Sequence, residues 1–452
     1  MALVVIPRFL ERVDLRSILS GFHVGKCIIG TFGPIGDRVK INASVLGVLD
    51  WSRVMVIDAY GAYSALSFFF NNCKVLRLGF NASIAPFDLS LSDPYIRAFE
   101  IAEAFKLSFH ISESSARLLQ QALARLIARG VYEPSVEDVI LEVESQSQIA
   151  SSRPFSYRLL RLLDNLTYGR IGSSFSGSME LSSADAPLLV IDVHHLPREF
   201  RVLASTLLLL KFSDESDMVM VVEESDLLMP GLMRALREEY ALAFERTLFT
   251  LNTLRRSRSG LAVLSCRSPL LLAVRARLDL QCAFSSLPRS REEFEALSAV
   301  FPTTTFRWEH VTCISRDSFL VFHDGKVKIA ELRFKELPEV QVSIEEKIKP
   351  AKPKVGAVLQ KIFRGAADFA SQILSFLLQG AADRDTIMGY AVGVLGLSSE
   401  EAQRMIGVLS AYGFITDVVG RDGKYYFRIT PSGIAALNEY SSFRGGIFEQ
   451  LD

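Results

Sequence analysis

The stretch Gly30-Thr31-Phe32-Gly33-Pro34-Ile35-Gly36-Asp37-Arg38 lies between an apolar run and a helical pattern. A glycine-rich turn in that place can bind phosphate, because backbone N–H groups at a helix N-terminus point at the anion. The chemistry is complete when a lysine reaches the outer phosphates and a Ser or Thr hydroxyl holds magnesium. Gly30, Thr31, Gly33 and Gly36 supply the small residues. Asp37 stands where the lysine belongs, Arg38 stands where the hydroxyl belongs, and the turn reads one residue too long. A carboxylate about 4 Å from a phosphate charge, at an effective dielectric near 20, would repel it by about 4 kcal/mol. Arg38 and Lys40 are the cations that could replace the lysine.

Other reactive side chains point elsewhere. The five cysteines, Cys27, Cys73, Cys266, Cys282 and Cys313, are dispersed with no CxxC pair, so free thiols in or near the core are expected. His194 and His195 follow Asp192. Neighbours on a strand point to opposite faces, which argues against one shared metal ion.

The elements that must position the turn alternate between strands and helices. Lys26–Ile29, Arg53–Asp58, Leu188–Asp192, Met218–Val222 and Leu261–Ser265 are apolar runs of the kind buried on both faces of a parallel sheet. Between 93 and 144 the pattern turns helical, in segments 95–105 and 112–129 and a third opened by Ser135 and Asp138, so an inserted helical subdomain is expected. Strand-like segments return at 304–308, 319–323 and 326–332, the last two joined by Asp324-Gly325, a strong hairpin signal. Residues 338–354, rich in Lys and Pro, read as a linker. Helices over 355–378, 383–395 and 398–412 and a hairpin around Gly-Arg-Asp-Gly then give a winged-helix layout, similar to archaeal transcription-factor-like domains.

Several short segments carry a family resemblance. Asp58-Ala59-Tyr60-Gly61-Ala62-Tyr63 resembles the Asp-Pro-His-Gly-Glu-Tyr segment of HerA-type ATPases, with Ala62 in the place of the acid. Ala85-Pro86-Phe87-Asp88 is similar to their Asn-Pro-Phe-Asp turn. Val221-Val222-Glu223-Glu224 resembles a Walker B strand, and Gly260–Pro269 resembles the strand that ends in Ser-Gln-Arg-Pro, with Cys266 in place of Gln. The order of these motifs from Gly21 to Leu332 is that of the HerA/FtsK-type P-loop ATPases, a group of archaeal HerA-like and conjugation-ATPase-like proteins, here in degenerate form.

The resemblance implies an α/β, RecA-like P-loop core over residues 1–337 with a mainly parallel sheet, followed by a winged-helix domain over 355–452. It implies nucleotide contacts from Gly30, Thr31, Gly33, Gly36, Arg38 and Glu223. Glu223 would hold magnesium, Glu224 would polarise water, and Cys266 and Arg267 would take the sensor positions. For the two acids, the plain alternative is a solvated end to a buried strand. Cysteine bonds hydrogen weakly, so sensing would be reduced. Arg255, Arg256 and Arg258 fall near the family's basic segment and read as a solvated turn or an arginine finger.

Because the departures strike nucleotide chemistry, the leading expectation is a pseudo-ATPase related to hexameric DNA translocases, working in DNA processing, segregation or transfer. It would sit in a ring with itself or with an active HerA-like paralogue, binding ATP or ADP with magnesium, or no cofactor. One alternative is a divergent ATPase and translocase using Arg38 or Lys40. The other is a protein-docking adaptor without DNA contact. Candidate DNA contacts on the winged helix are Arg404, Arg421, Lys424 and Arg428. The domain is not basic: residues 383–440 hold five basic side chains against seven acidic, a balance of -2. The whole-chain charge of -1 likewise lacks a basic field. Mean hydropathy is +0.24, but no apolar run reaches about 20 residues and the N-terminus lacks signal-peptide features. A cytoplasmic protein without a transmembrane segment is expected.

Overall fold

A computed structural model describes the chain apart from residues 1–10, 21–26, 50, 91–92, 148–152, 178–185, 214, 216–217, 232–239, 257–260, 303–305, 335, 337–357, 364–365, 420–424 and 449–452. The chain divides into two compact units, Met1–Ser135 with Ser173–Lys349, and Val136–Gly172 with Pro350–Asp452.

The first unit is built on a nine-stranded sheet. Its strands are β1 (Cys27–Phe32), β2 (Arg53–Asp58), β3 (Cys73–Arg77), β4 (Leu188–Asp192), β5 (Met218–Glu223), β6 (Leu261–Cys266), β7 (Cys282–Ser286), β8 (Ser318–His323) and β9 (Lys326–Glu331). The order is β3-β4-β2-β5-β6-β1-β7-β8-β9. Pairs from β3 to β7 are parallel, and β7-β8-β9 are antiparallel. Val54, Val56, Val190, Val221 and Val263 share one core cluster, as parallel strands covered on both faces require. This is the RecA-like α/β core, with a mainly parallel sheet. The hairpin β8–β9 turns at Asp324 (φ 51°) and Gly325 (φ 69°), the left-handed pair that its sequence demands.

Three expectations need correction. The helical stretch 93–144 is not one insertion. Helices Pro94–Phe109, capped by Asp93, and Glu113–Ala128, capped by Ser112, belong to the sheet unit. Helix Val136–Ser147 packs with Arg153–Asp164 in the other unit. Helical periodicity marks the apolar face but not what covers it. Second, the strand expected at 304–308 is absent among its described residues: Trp308 opens a helical turn, Trp308–Val311. Phe306 and Trp308 pack against Phe294 of helix Arg291–Val300, so this stretch covers a helix instead of pairing in the sheet. Third, in the helix expected over 355–378 the described residues form two helices, Val358–Phe363 and Ala367–Gln379.

In the second unit the order runs helix Ala367–Gln379, β10 (Ala382–Asp383), helix Arg384–Gly393, helix Ser399–Ala411, β11 (Ile415–Val419), β12 (Tyr425–Ile429) and helix Pro431–Phe448. The strands form an antiparallel sheet, β10-β12-β11. Ser398 and Glu401 close a reciprocal capping box on the third of these helices. The linker expected at 338–354 lies outside the described residues.

Candidate functional site

The parallel registers gather polar residues at the C-terminal ends of the central strands. Thr31 on β1 lies opposite Ser265 on β6, and Ser265 lies opposite Glu223 on β5. In open parallel sheets this edge is where ligands bind.

The link from β1 to the following helix is shorter than the sequence suggests. β1 runs through Phe32, and helix Ile35–Leu46 begins after Gly33-Pro34. The nine-residue loop expected at 30–38 is therefore a tight turn, not an enlarged one. Gly30 and Thr31 lie within β1, and a Cβ on Gly30 would meet the Phe32 ring at 2.7 Å, so that glycine serves packing. Gly33 has φ +131° and no room for a Cβ beside Ser286. Its N–H donates to the Arg267 carbonyl at 3.1 Å, and Pro34 has no N–H, so neither residue offers a free donor to a phosphate. Gly36 lies in the first turn of the helix. Asp37 turns away and pairs with Arg289 at 2.7 Å.

Arg38 points inward, with 2% of its side chain exposed, and its guanidinium forms a salt bridge to Glu223, whose side chain is fully buried. It also donates to the Gly33 carbonyl. Glu223 Oε2 accepts from Tyr63 Oη at 2.7 Å and from Ser265 Oγ at 2.6 Å, and Oε1 accepts from the Glu224 N–H at 3.1 Å. Asn42 Nδ2 donates to Tyr63 Oη at 2.7 Å, and Thr31 Oγ1 donates to Asn42 Oδ1 at 2.8 Å. Burial alone would lower the Arg38 pKa, but the Glu223 carboxylate outweighs it and holds the guanidinium charged. Burial, reinforced by Glu223, pushes the Tyr63 phenol well above its ordinary range. A buried charge costs free energy unless it is paired and hydrogen-bonded. Here both members of the pair are.

Asp58, at the end of β2, holds Tyr63 in place. Its carboxylate accepts the N–H groups of Tyr60, Gly61 and Tyr63 at 3.0, 2.8 and 2.8 Å. Burial, with the Asp192 charge nearby, still pushes its pKa up to about 7. Glu224, the water-polarising candidate, adopts left-handed backbone (φ 51°, ψ 40°) and bonds Arg201 Nη1 at 3.0 Å. Burial raises its pKa, and Arg201 opposes the rise.

Cys266 is buried, its thiol is pushed up by burial, and Sγ faces the Ser268 carbonyl at 3.3 Å. Arg267 is exposed and lines a cleft of about 220 Å3 with Gly33, Pro34, Ser285 and Ser286. Lys40 lines a different cleft. Arg255 pairs with Asp279 and Arg256 with Glu100; Arg258 lies outside the described residues. Asp192, His194 and His195 do come within 4.8 Å of one another, against the strand argument, because β4 ends at Asp192 and the histidines sit in the turn beyond it. His194 Nδ1 is bonded to Asp192 Oδ1 at 2.6 Å, and Arg77 Nε donates to Oδ2 at 2.7 Å.

Arg404 and Arg428 are exposed in the second unit; Arg421 and Lys424 lie outside the described residues. The structure thus joins Arg38 and Glu223 and separates them from Asp37, Lys40 and Arg267. The sequence reading did not assign Asn42, Ser265, Tyr63 and Arg201 to the site. Asn42 and Ser265 had a signal, a lone polar residue within an apolar helix face and an apolar strand.

A magnesium nucleotide does not fit this arrangement. Its outer phosphates need a cation and free N–H donors, and its metal needs an open carboxylate. The cation here is bonded to the carboxylate and to the turn's own carbonyl, and Glu223 has donors on both oxygens.

No protein-family model and no curated protein matches the chain. Solved structures do. VirB4 of Thermoanaerobacter pseudethanolicus superposes with a TM-score of 0.54 at 15% identity, over 71% of this chain and 93% of that one. The plasmid coupling protein TrwB with a non-hydrolysable ATP analogue gives 0.52 at 10% identity, over 75% and 93%. TrwB with ADP and Mg2+ gives 0.50 at 10% identity, over 75% and 94%. The chain therefore shares the α/β fold of VirB4 and TrwB, with a mainly parallel sheet.

Proposed function

We propose that this chain is a pseudo-ATPase, a non-catalytic relative of ring-forming DNA translocases, acting as a component in DNA processing, segregation or transfer. The observation that carries the reading is Arg38, buried against Glu223 and the Gly33 carbonyl where a nucleotide and its metal would need to be. Neither Arg38 nor Lys40 is arranged to replace the missing lysine. The first is bonded within the protein, and the second lines another cleft. The ATPase scaffold then serves assembly, with copies of this chain or an active paralogue as ring neighbours in the cytoplasm.

The element order of the second unit supports a winged helix, with Ser399–Ala411 as the helix that would enter a DNA groove and β11–β12 as the wing. Exposed Arg404 and Arg428, with Arg421 and Lys424, are the candidate phosphate contacts. We take 1–337 and 355–452 as the main domains, with helices 136–147 and 153–164 packed in the second unit.

Electron paramagnetic resonance of Mn2+ with ATP tests the filled site. The expected result is one and the same spectrum for the native chain and Glu223→Gln. Immobilisation of Mn2+–ATP by the native chain, lost in Glu223→Gln, would refute the reading.

A further inference from the structure

The turn after β4 carries a donor set that the filled site does not use. β4 ends at Asp192, and His194 and His195 follow it directly in the turn. One ligand-capable atom from each of the three lies within 4.8 Å of the others, the one such cluster among the described residues. Two imidazoles and a carboxylate are the donors of open zinc sites, which keep a fourth position for water. The same donors disfavour magnesium, which takes oxygen ligands.

The carboxylate is already aimed. Arg77 Nε donates to Asp192 Oδ2 at 2.7 Å, and Oδ1 faces His194. A supporting bond of this kind orients a metal-ligating group. Oδ1 accepts the His194 N–H at 3.0 Å and meets Nδ1 at 2.6 Å. Two tetrahedral zinc ligands lie about 3.3 Å apart, so an ion that replaces the shared proton needs these atoms to part by only about 0.7 Å. The His195 ring stands edge-on to Phe80 at 5.2 Å. The His194 side chain is 39% exposed and that of Asp192 3%, so an ion reaches a buried carboxylate through an open imidazole. Gly61 (φ +74°) passes close by, and a Cβ there would fall 2.9 Å from His194 Nδ1.

We propose that Asp192, His194 and His195 bind a divalent transition-metal ion of the Zn2+ class, separately from the site of Arg38 and Glu223. The ion cross-links the end of β4 to the turn that follows it, beside the Gly61 segment. Its role is to stabilise that end of the sheet. The inference stands whether or not the filled site is inert.

Titration calorimetry of the untagged full chain with Zn2+, in excess Mg2+, tests it. One Zn2+ per chain is expected to bind. His194→Ala lies at the surface and leaves the packing of His195 on Phe80 in place. It should weaken Zn2+ by at least about tenfold, the loss seen when even a supporting partner of a metal ligand is removed. His195→Ala should do the same. Zn2+ should raise the urea midpoint of the native chain and leave that of the chain carrying both substitutions unchanged. Co2+ identifies the donors: visible bands that Zn2+ abolishes are expected, without a near-ultraviolet thiolate band. No Zn2+ binding, displacement by Mg2+, a thiolate band assigning the ion to cysteine, or unchanged affinity in His194→Ala would overturn the assignment.

Discussion

At the residue scale the molecule turns on the pairing of Arg38 with Glu223. Removing one partner leaves the other charge buried and alone, so Arg38→Ala should lower stability by about 3–5 kcal/mol in urea unfolding. In a double-mutant cycle with Glu223→Gln, the combined variant should be destabilised by at least about 1 kcal/mol less than the sum of the singles. Tyr63→Phe, which deletes one donor to Glu223, should cost about 1 kcal/mol. Asp58 gives a pH signature. Its folded pKa of about 7 lies above the unfolded value near 3.8, so the native state holds the extra proton. Stability should therefore fall as pH rises from about 4 to about 7, by up to about 1.4 kcal/mol per pH unit. Asp58→Asn should flatten that slope. The sequence made the loss of the lysine legible, because Asp37 and Arg38 can be read directly. It did not reveal that Arg38 fills the vacancy, because its partner is 185 positions away and the contact exists only after β1 and β5 come together.

At the scale of elements, strands with dense apolar runs were readable and those without were not. β3 was missed because it is an edge strand in which Lys74 and Arg77 break up the apolar residues and only Leu76 is buried, Cys73-Lys74-Val75-Leu76-Arg77. β7 was missed because Ser285 and Ser286 dilute its apolar character, although every residue in it is buried. The glycine-rich turn is ambiguous for a related reason. Gly30 and Gly33 signal backbone freedom without saying whether it serves a ligand or packing, and here Phe32 and Ser286 occupy the space. Gly33→Ala should cost about 1–3 kcal/mol through its positive φ and the collision with Ser286, read as a lowered urea midpoint. In the second unit, caps and turns were legible because their chemistry is local. Ser398→Ala should cost about 1 kcal/mol by opening the capping box.

For the whole molecule, fold and charge point in different directions. The fold is shared with VirB4 and TrwB, yet the net charge is -1 and the second unit's candidate contacts are few. If Arg404 and Arg428 meet phosphates, Arg404→Ala with Arg428→Ala should weaken binding on all DNA sequences alike and flatten the salt dependence by about two charges. Unchanged affinity would favour a protein-docking role for that unit. The division into units was only partly legible, because residues 136–172 join a body formed mainly by the C-terminal sequence. Central to the account is the proposal that this fold performs no ATP chemistry. Steady-state phosphate release by the purified chain with ATP and magnesium, with and without DNA, tests this most directly. The account predicts no turnover above the protein-free rate. Sustained turnover that disappears in Glu224→Gln would contradict it.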